Sequence, residues 1–448
     1  MLFLAHHFPP IGGVVGRNVA TARYLPEFGY EPLVLTGPGD SAGRWAPSDP
    51  LLLERVADVA VRRVPGPLPG PATGVSARVA RWTERRSPAV KRWVESAIET
   101  GTALGGRFDV LLANLIPYES AEAAGAIAGE LGIPWVADLE DPWALDEMRV
   151  HPTAINHRID RARMLKALGS ASALIMSCPE AAHRVRREIP GFAGKLVTSI
   201  PHGFNGDVYI QPVPRRSDGA FRIVHTGALH TELGRDHRRT RRARRLLGGT
   251  SLEVDILTRS HVHLLEAIER VRSARPELAE HIELHLAGRL TEADRDVASR
   301  YPNVHTYGQL PHGETVALAR SADLLFVPMH ELPQGSRAGI VPCKTYEYLA
   351  ARRPILAAVS DGDARDLLAR FARVSICRPS DVPAMAAAIA DVAQGSQGAP
   401  ASPEEEELLA GYERGHLTGQ IAGVLDEVLG TQAARPSGRA SADRASVA

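Results

Sequence analysis

Two apolar runs flanking a polar, glycine-bearing segment constrain this chain more than any other feature. Ala322-Asp323-Leu324-Leu325-Phe326-Val327-Pro328 reads as a short buried strand, and Ile355-Leu356-Ala357-Ala358-Val359 reads as another. The stretch between them, Gly335 to Pro354 (GSRAGIVPCKTYEYLAARRP), holds a loop and then a helix from Lys344 to Ala351, which Pro354 closes. Strand, glycine loop, helix, strand is one βαβ unit. In such a unit ligands gather at the carboxyl end of the strand, where the helix amino terminus offers free N–H groups to an anion. Gly339, Ile340 and Val341 are placed to present such amides and Lys344 to add a cation. Glu347, one turn into the helix, is placed to accept hydrogen bonds from a diol.

The same grammar opens the chain. Leu2 to Ala5 reads as a strand, His6 to Gly13 as a loop, about Gly16 to Glu27 as a helix carrying Val19, Ala22 and Leu25, and Glu31 to Thr36 as a strand. Gly12 and Gly13 at the strand-to-helix turn would let a ligand approach the backbone. A plain tight turn explains the pair equally well.

With 448 residues the chain is too long for one compact core and predicts two domains of roughly 200 residues each. Lysine plus arginine balance aspartate plus glutamate at 52 each, so no overall field draws the chain to nucleic acid or membrane. Cys178, Cys343 and Cys377 are too scattered for a disulfide framework or a cysteine zinc site. Met1 leads almost directly into a strand, and no apolar run reaches the length of a membrane span. These features predict a cytoplasmic protein.

Lys344-Thr-Tyr-Glu-Tyr-Leu-Ala before Arg353-Pro-Ile-Leu resembles the donor segment of retaining GT-B glycosyltransferases of family 4. His6-His-Phe-Pro-Pro-Ile-Gly-Gly with Arg17, followed by Tyr24-Leu-Pro-Glu-Phe-Gly, resembles the amino-terminal signature of the same group. The resemblance implies an α/β protein of GT-B architecture, two Rossmann-like doubly wound domains facing an interdomain cleft. It implies metal-independent transfer of a sugar from a nucleotide-diphosphate-sugar, the co-substrate, to an acceptor hydroxyl with retention. No resident cofactor is expected.

On that frame the expected boundaries are an acceptor-binding domain over 1–205, a linker over 206–218, a donor domain over 219–400, a helix crossing back over 401–430 and a disordered tail from 431. Residues 40–105 read as an excursion with a helix near Val79 to Thr102. Pro134 to Trp143 is a strand with carboxylates at its carboxyl end. Either Asp138 or Asp141 would position an acceptor hydroxyl, and a solvated loop is the plainer reading. The segment resembles the family's D-x-R-D-P-W, with Glu140 in place of arginine. The family's cleft histidine is missing after the fourth strand, which leaves His6 and His7 as neighbours, and His7 is the catalytic candidate.

In the donor domain, Phe221 to Thr226 ends in Gly227, a turn that in the family carries two cations for the diphosphate. This chain has Ala228 and Leu233 there, so Arg235 is the substitute, a guanidinium able to grip phosphate bidentately. The family's E-x7-E motif keeps only its second member, Glu347, and has Gly339 at the first position. Seven arginines between Arg235 and Arg245 face only Asp236 within the run. A solvated helix face is the default, and peripheral contact with an anionic inner-membrane surface is the functional option. No aromatic residues interleave with them, which argues against nucleic acid. The acceptor stays open among lipid-linked, polysaccharide and small-molecule classes. A sugar-nucleotide epimerase and a non-catalytic nucleotide-sugar-binding protein are the alternatives.

Overall fold

A computed structural model of the chain describes residues 1–12, 15–39, 48–66, 87–106, 108–192, 194–210, 216–251, 253–395 and 401–433. Two parallel sheets divide it. The first contains β1 (Leu2–Ala5), β2 (Leu33–Thr36), β3 (Ala60–Arg63), β4 (Leu111–Asn114), β5 (Trp135–Leu139), β6 (Ala173–Met176) and β7 (Leu196–Ser199). Their order in space is β3-β2-β1-β4-β5-β6-β7. The second contains β8 (Phe221–Thr226), β9 (Ile282–Ala287), β10 (Val304–Gly308), β11 (Leu324–Pro328), β12 (Ile355–Ala358) and β13 (Val374–Cys377), ordered β10-β9-β8-β11-β12-β13. This is the GT-B architecture of two Rossmann-like units.

The central strands are buried and mostly apolar because helices cover both faces of a parallel sheet. Every residue of β1, β4, β5, β6, β11 and β12 is buried. In each sheet the order reverses beside the first strand, between β1 and β4 and between β8 and β11, and ligands collect outside the carboxyl ends at such a point.

The excursion after residue 40 needs correction. It contains β3, whose Ala60-Val-Arg-Arg sequence is mostly exposed because it closes the sheet edge. The helix expected from Val79 is described from Pro88 to Ala103, capped by the Ser87 hydroxyl on Val90 N–H, and residues 67–86 lie outside the described residues. The first helix ends at Tyr24 and tightens to a 3-10 turn over Leu25–Phe28, since Pro26 has no N–H to continue the ladder. The expected tail from residue 431 is helical to Ala433, and the rest lies outside the described residues.

The last helix, Arg414–Ala433, packs on the first unit. Leu417, Ile421, Leu425 and Val428 form its apolar stripe and are buried with Val19, Ala22 and Leu25. Each such side chain contributes about 1.5–3 kcal/mol by leaving water. Beside it the chain crosses between the sheets. Phe204 N–H donates to Tyr412 O at 3.1 Å, and Arg414 N–H donates to Phe204 O at 2.9 Å. Gly203 has φ +64° there, and a Cβ would lie 2.3 Å from Tyr412 O.

Candidate functional site

The helix Cys343–Ala351 distributes its side chains over four different partners. Tyr348 accepts from Thr226 N–H at 2.7 Å and so pins the carboxyl end of β8. Tyr346 packs its ring 5.1 Å from Tyr412, just ahead of the last helix. Glu347 lies 3.7 Å from the Arg414 guanidinium and is partly open to the cleft. Lys344 turns toward Gly227, whose Cβ, if it had one, would lie 2.9 Å from Nζ.

Gly227 has φ +109° and is backed by Gly288, at φ +132°, where a Cβ would lie 2.5 Å from Gly227 O. Only glycine fits this back-to-back turn, which brings the Lys344 ammonium against bare backbone. Burial, with the Arg259 charge nearby, pushes the Lys344 pKa down to about 7. The Arg259 carbonyl accepts from His230 N–H at 3.0 Å, while its guanidinium donates to Met148 Sδ at 2.9 Å, on the acidic loop of the opposite wall. A helix, Thr231–Leu246, separates Gly227 from this second cation in sequence.

Arg235, the cation expected at this turn, is exposed near the start of that helix. The arginine run is also less unopposed than its sequence suggests. Arg238 pairs with Asp255 at 3.0 Å, Arg239 with Asp236 at 2.7 Å, and Arg241 and Arg245 both pair with Glu253, at 2.6 and 2.8 Å.

The opposite wall is acidic. Asp138 is buried and holds Arg17 bidentately, at 2.7 and 2.9 Å, while Arg17 also donates to the carbonyls of Ile200 and Pro201. Both Asp138 oxygens thus take part in ordering β5, the first helix and the crossing. Glu140, two residues on, is buried beside it. Its pKa is pushed up to about 8, by burial first and then by the Asp138 charge, while Asn114 donates to Oε1 at 3.2 Å. Asp141 is raised by burial against the opposing pull of Arg259, and Asp146 is raised to about 8 by burial and the neighbouring Asp141. Protonated carboxyl groups can donate as well as accept.

Glu147, from the same loop, spans the cleft. Its Oε1 accepts from Gly339 N–H at 2.9 Å and from His330 Nε2 at 3.1 Å, and Oε2 pairs with Arg184. Burial raises its pKa, but His330 and Arg184 outweigh that and bring it down to about 2. The Gly339 amide expected to face the donor is spent on this carboxylate. Ile340 and Val341 remain buried ahead of the helix.

His7 sits after β1, held near pKa 4 by burial, and its Nδ1 has no partner among the described residues. His6 is packed against Trp93, ring centroids 4.6 Å apart, and is held near pKa 3 by burial and by His7. Gly12 is buried beside them, and Gly13 lies outside the described residues. Cys343 is exposed to the cleft, yet crowding by its walls and by Glu140 and Glu347 pushes its thiol up to about 12. Among the described residues the cluster able to ligate a metal, Glu283, His285 and His305, lies on β9 and β10 at the far edge of the second sheet. No helix among the described residues is long and apolar enough to cross a membrane.

Sequence reasoning missed Arg259, Glu147 and Arg414. Arg259 carried no signal because the inserted helix separates it from the glycine turn in sequence, and the other two act across elements distant in sequence.

Residues 12–201 match the model of the Glycosyl transferase 4-like domain. No curated protein sequence matches the chain. Sucrose-phosphate synthase from Thermosynechococcus elongatus superposes with TM-score 0.62 at 15% identity, over 96% of this chain and 99% of that one. An alpha,alpha-trehalose-phosphate synthase (UDP-forming) from Burkholderia vietnamiensis gives 0.59 at 12%, over 95% and 99%. Anabaena HepE in complex with UDP-glucose gives 0.56 at 13%, over 95% and 99%. The chain thus joins a match to the glycosyl transferase 4-like domain over residues 12–201 with a two-domain GT-B fold along its length.

Proposed function

We propose that the protein transfers a sugar from a nucleotide-diphosphate-sugar to an acceptor hydroxyl, with retention at the anomeric carbon and without a metal. The observation that carries this reading is Lys344 at the Gly227 turn, with the Arg259 charge close enough to act on it and on Asp141 and Asp146 opposite. Negative charge accumulates on the departing diphosphate in the transition state, and preorganised cations in a water-poor cleft stabilise it there. Glu347 would hold the ribose diol while Arg414 orients its carboxylate. Glu140, Asp141 and Asp146 would bind acceptor hydroxyls, and His7 would line the same floor. Glu147 closes the cleft by joining the two units.

A uridine diphosphate sugar is the donor class we favour, since HepE is solved with UDP-glucose and the trehalose-phosphate synthase is described as UDP-forming. The donor resemblance of Lys344 to Ala351 supports a hexosyl transferase of polysaccharide, glycoconjugate or natural-product biosynthesis acting in the cytoplasm.

The test is release of free nucleotide diphosphate from UDP-, GDP-, ADP- and dTDP-sugars with and without candidate acceptors. Acceptor-dependent release that Glu347→Ala abolishes, with an unchanged melting curve, is the expected result. Conversion of the sugar without any acceptor would favour an epimerase. Wild-type turnover in Glu347→Ala would remove that residue from the donor site.

A further inference from the structure

The arginine run is largely neutralised, but a neighbouring surface is not. The helix Ala154–Leu168 of the first unit carries Ile155, Arg158, Ile159, Ala162 and Lys166 at spacings that place them on one face, and all five are exposed. Ile155 is 66% exposed and Ile159 39%. The helix's one acidic residue, Asp160, points the other way: it is buried and bonded to Trp143, Arg149 and His151.

The carboxyl end of the inserted helix Thr231–Leu246 meets this face from the second unit. Ala154 N–H donates to Leu247 O at 3.3 Å, and a Cβ on Gly248 would touch the Ala154 methyl at 3.3 Å. His151 and Thr250 tie the same junction at 3.0 Å. The join sets Leu247, 47% exposed, against the residue before Ile155, with Leu246, 89% exposed, and exposed Arg242 on the same helix end. Glu253, the acidic side chain near this end, is exposed and ion-paired with Arg241 and Arg245.

We propose that this surface docks the protein on an anionic lipid bilayer. Four protruding aliphatic side chains suit shallow insertion at the headgroup boundary, and Arg158, Lys166 and Arg242 suit the negative surface that surrounds it. The surface also borders the loop from Asp141 to Arg149, which carries the acidic wall of the cleft. A lipid-linked acceptor held at the headgroup layer would then offer its hydroxyl to Asp141 and Asp146. That last step rests on the transfer reading above, whereas bilayer binding does not.

The test is sedimentation of the full chain with vesicles of phosphatidylcholine alone and of phosphatidylcholine mixed with phosphatidylglycerol. Binding to the mixed vesicles that weakens as salt rises is expected. Ile155→Glu with Leu246→Glu should lower the bound fraction's partition coefficient at least about tenfold, with melting temperature and nucleotide binding unchanged. Should the double variant melt early, Leu246→Ser alone, at a nearly fully exposed position, reads the same surface. No binding by the wild type, or binding unaffected by these variants, overturns the proposal. So does a lipid-free dimer that Leu246→Glu dissociates, which would give the surface to a second copy. Loss of vesicle binding with donor turnover intact separates this inference from the transfer reading.

Discussion

Lys344 Nζ lies 3.4 Å from Nε2 of His225, and the other side of that imidazole dictates which way the contact runs. Nδ1 faces the carbonyl of Phe326 at 3.0 Å, and a carbonyl only accepts, so Nδ1 carries the proton. Nε2 is then a lone pair that receives the Lys344 N–H. Burial, with the Lys344 charge beside it, drives the His225 pKa well below its ordinary value, so the ring stays a neutral acceptor.

This arrangement gives nucleotide binding a pH signature. The Lys344 pKa falls to about 7 in the free protein, whereas a diphosphate would favour its charged form. Above pH 7 binding must therefore take up a proton, and affinity should fall by up to about tenfold per pH unit. Titration calorimetry in buffers of different ionisation enthalpy reads both effects. Constant affinity from pH 6 to 9 would remove Lys344 from the diphosphate.

The two candidate guanidiniums separate by mutation. Arg259→Ala should weaken donor binding by about 1.5–3 kcal/mol, the scale of hydrogen bonds to a charged group. Arg235→Ala, on an exposed helix face, should change it by less than about 0.5 kcal/mol. The reverse ranking would restore Arg235 to the site.

Asp138→Ala is expected to act on folding. It strands the buried Arg17 guanidinium, and breaking such a pair costs about 3–5 kcal/mol. Urea unfolding measures the loss. Wild-type stability combined with lost turnover would return Asp138 to acceptor chemistry.

The sequence exposed those parts of the fold whose signals are local. Buried parallel strands read as unbroken apolar runs, and Lys344, Glu347 and Gly227 stood at strand-to-helix turns where βαβ geometry places ligands. β3 escaped because an edge strand ending in Arg62-Arg63 lacks that pattern. The charge pairings escaped because they are tertiary: Asp138 with Arg17, Glu147 with Gly339 and Glu347 with Arg414 each join distant segments. Arg259 escaped because the helix Thr231–Leu246 separates it from Gly227 in sequence, whereas Arg235 near the start of that helix is exposed.

Glu140 supplies a second pH effect. Its pKa rises from 4.5 to about 8 on folding, so the folded protein binds the proton more tightly than the unfolded chain. The stabilisation is complete below pH 4.5 and lost as pH climbs through 8. Wild type should thus lose melting temperature relative to Glu140→Gln between pH 6 and 9. Parallel curves would show that Glu140 is ionised in the fold.

The central claim is that Lys344 and Arg259 form a nucleotide-diphosphate grip. Calorimetric titration of UDP, GDP, ADP and dTDP onto the wild type and onto Lys344→Ala with Arg259→Ala tests it most directly. We predict that one diphosphate, UDP, binds the wild type and that the double variant weakens it at least about a hundredfold, two charge-assisted contacts at about 1.5 kcal/mol each. Absence of binding by every nucleotide, or equal binding by the folded double variant, would contradict the account.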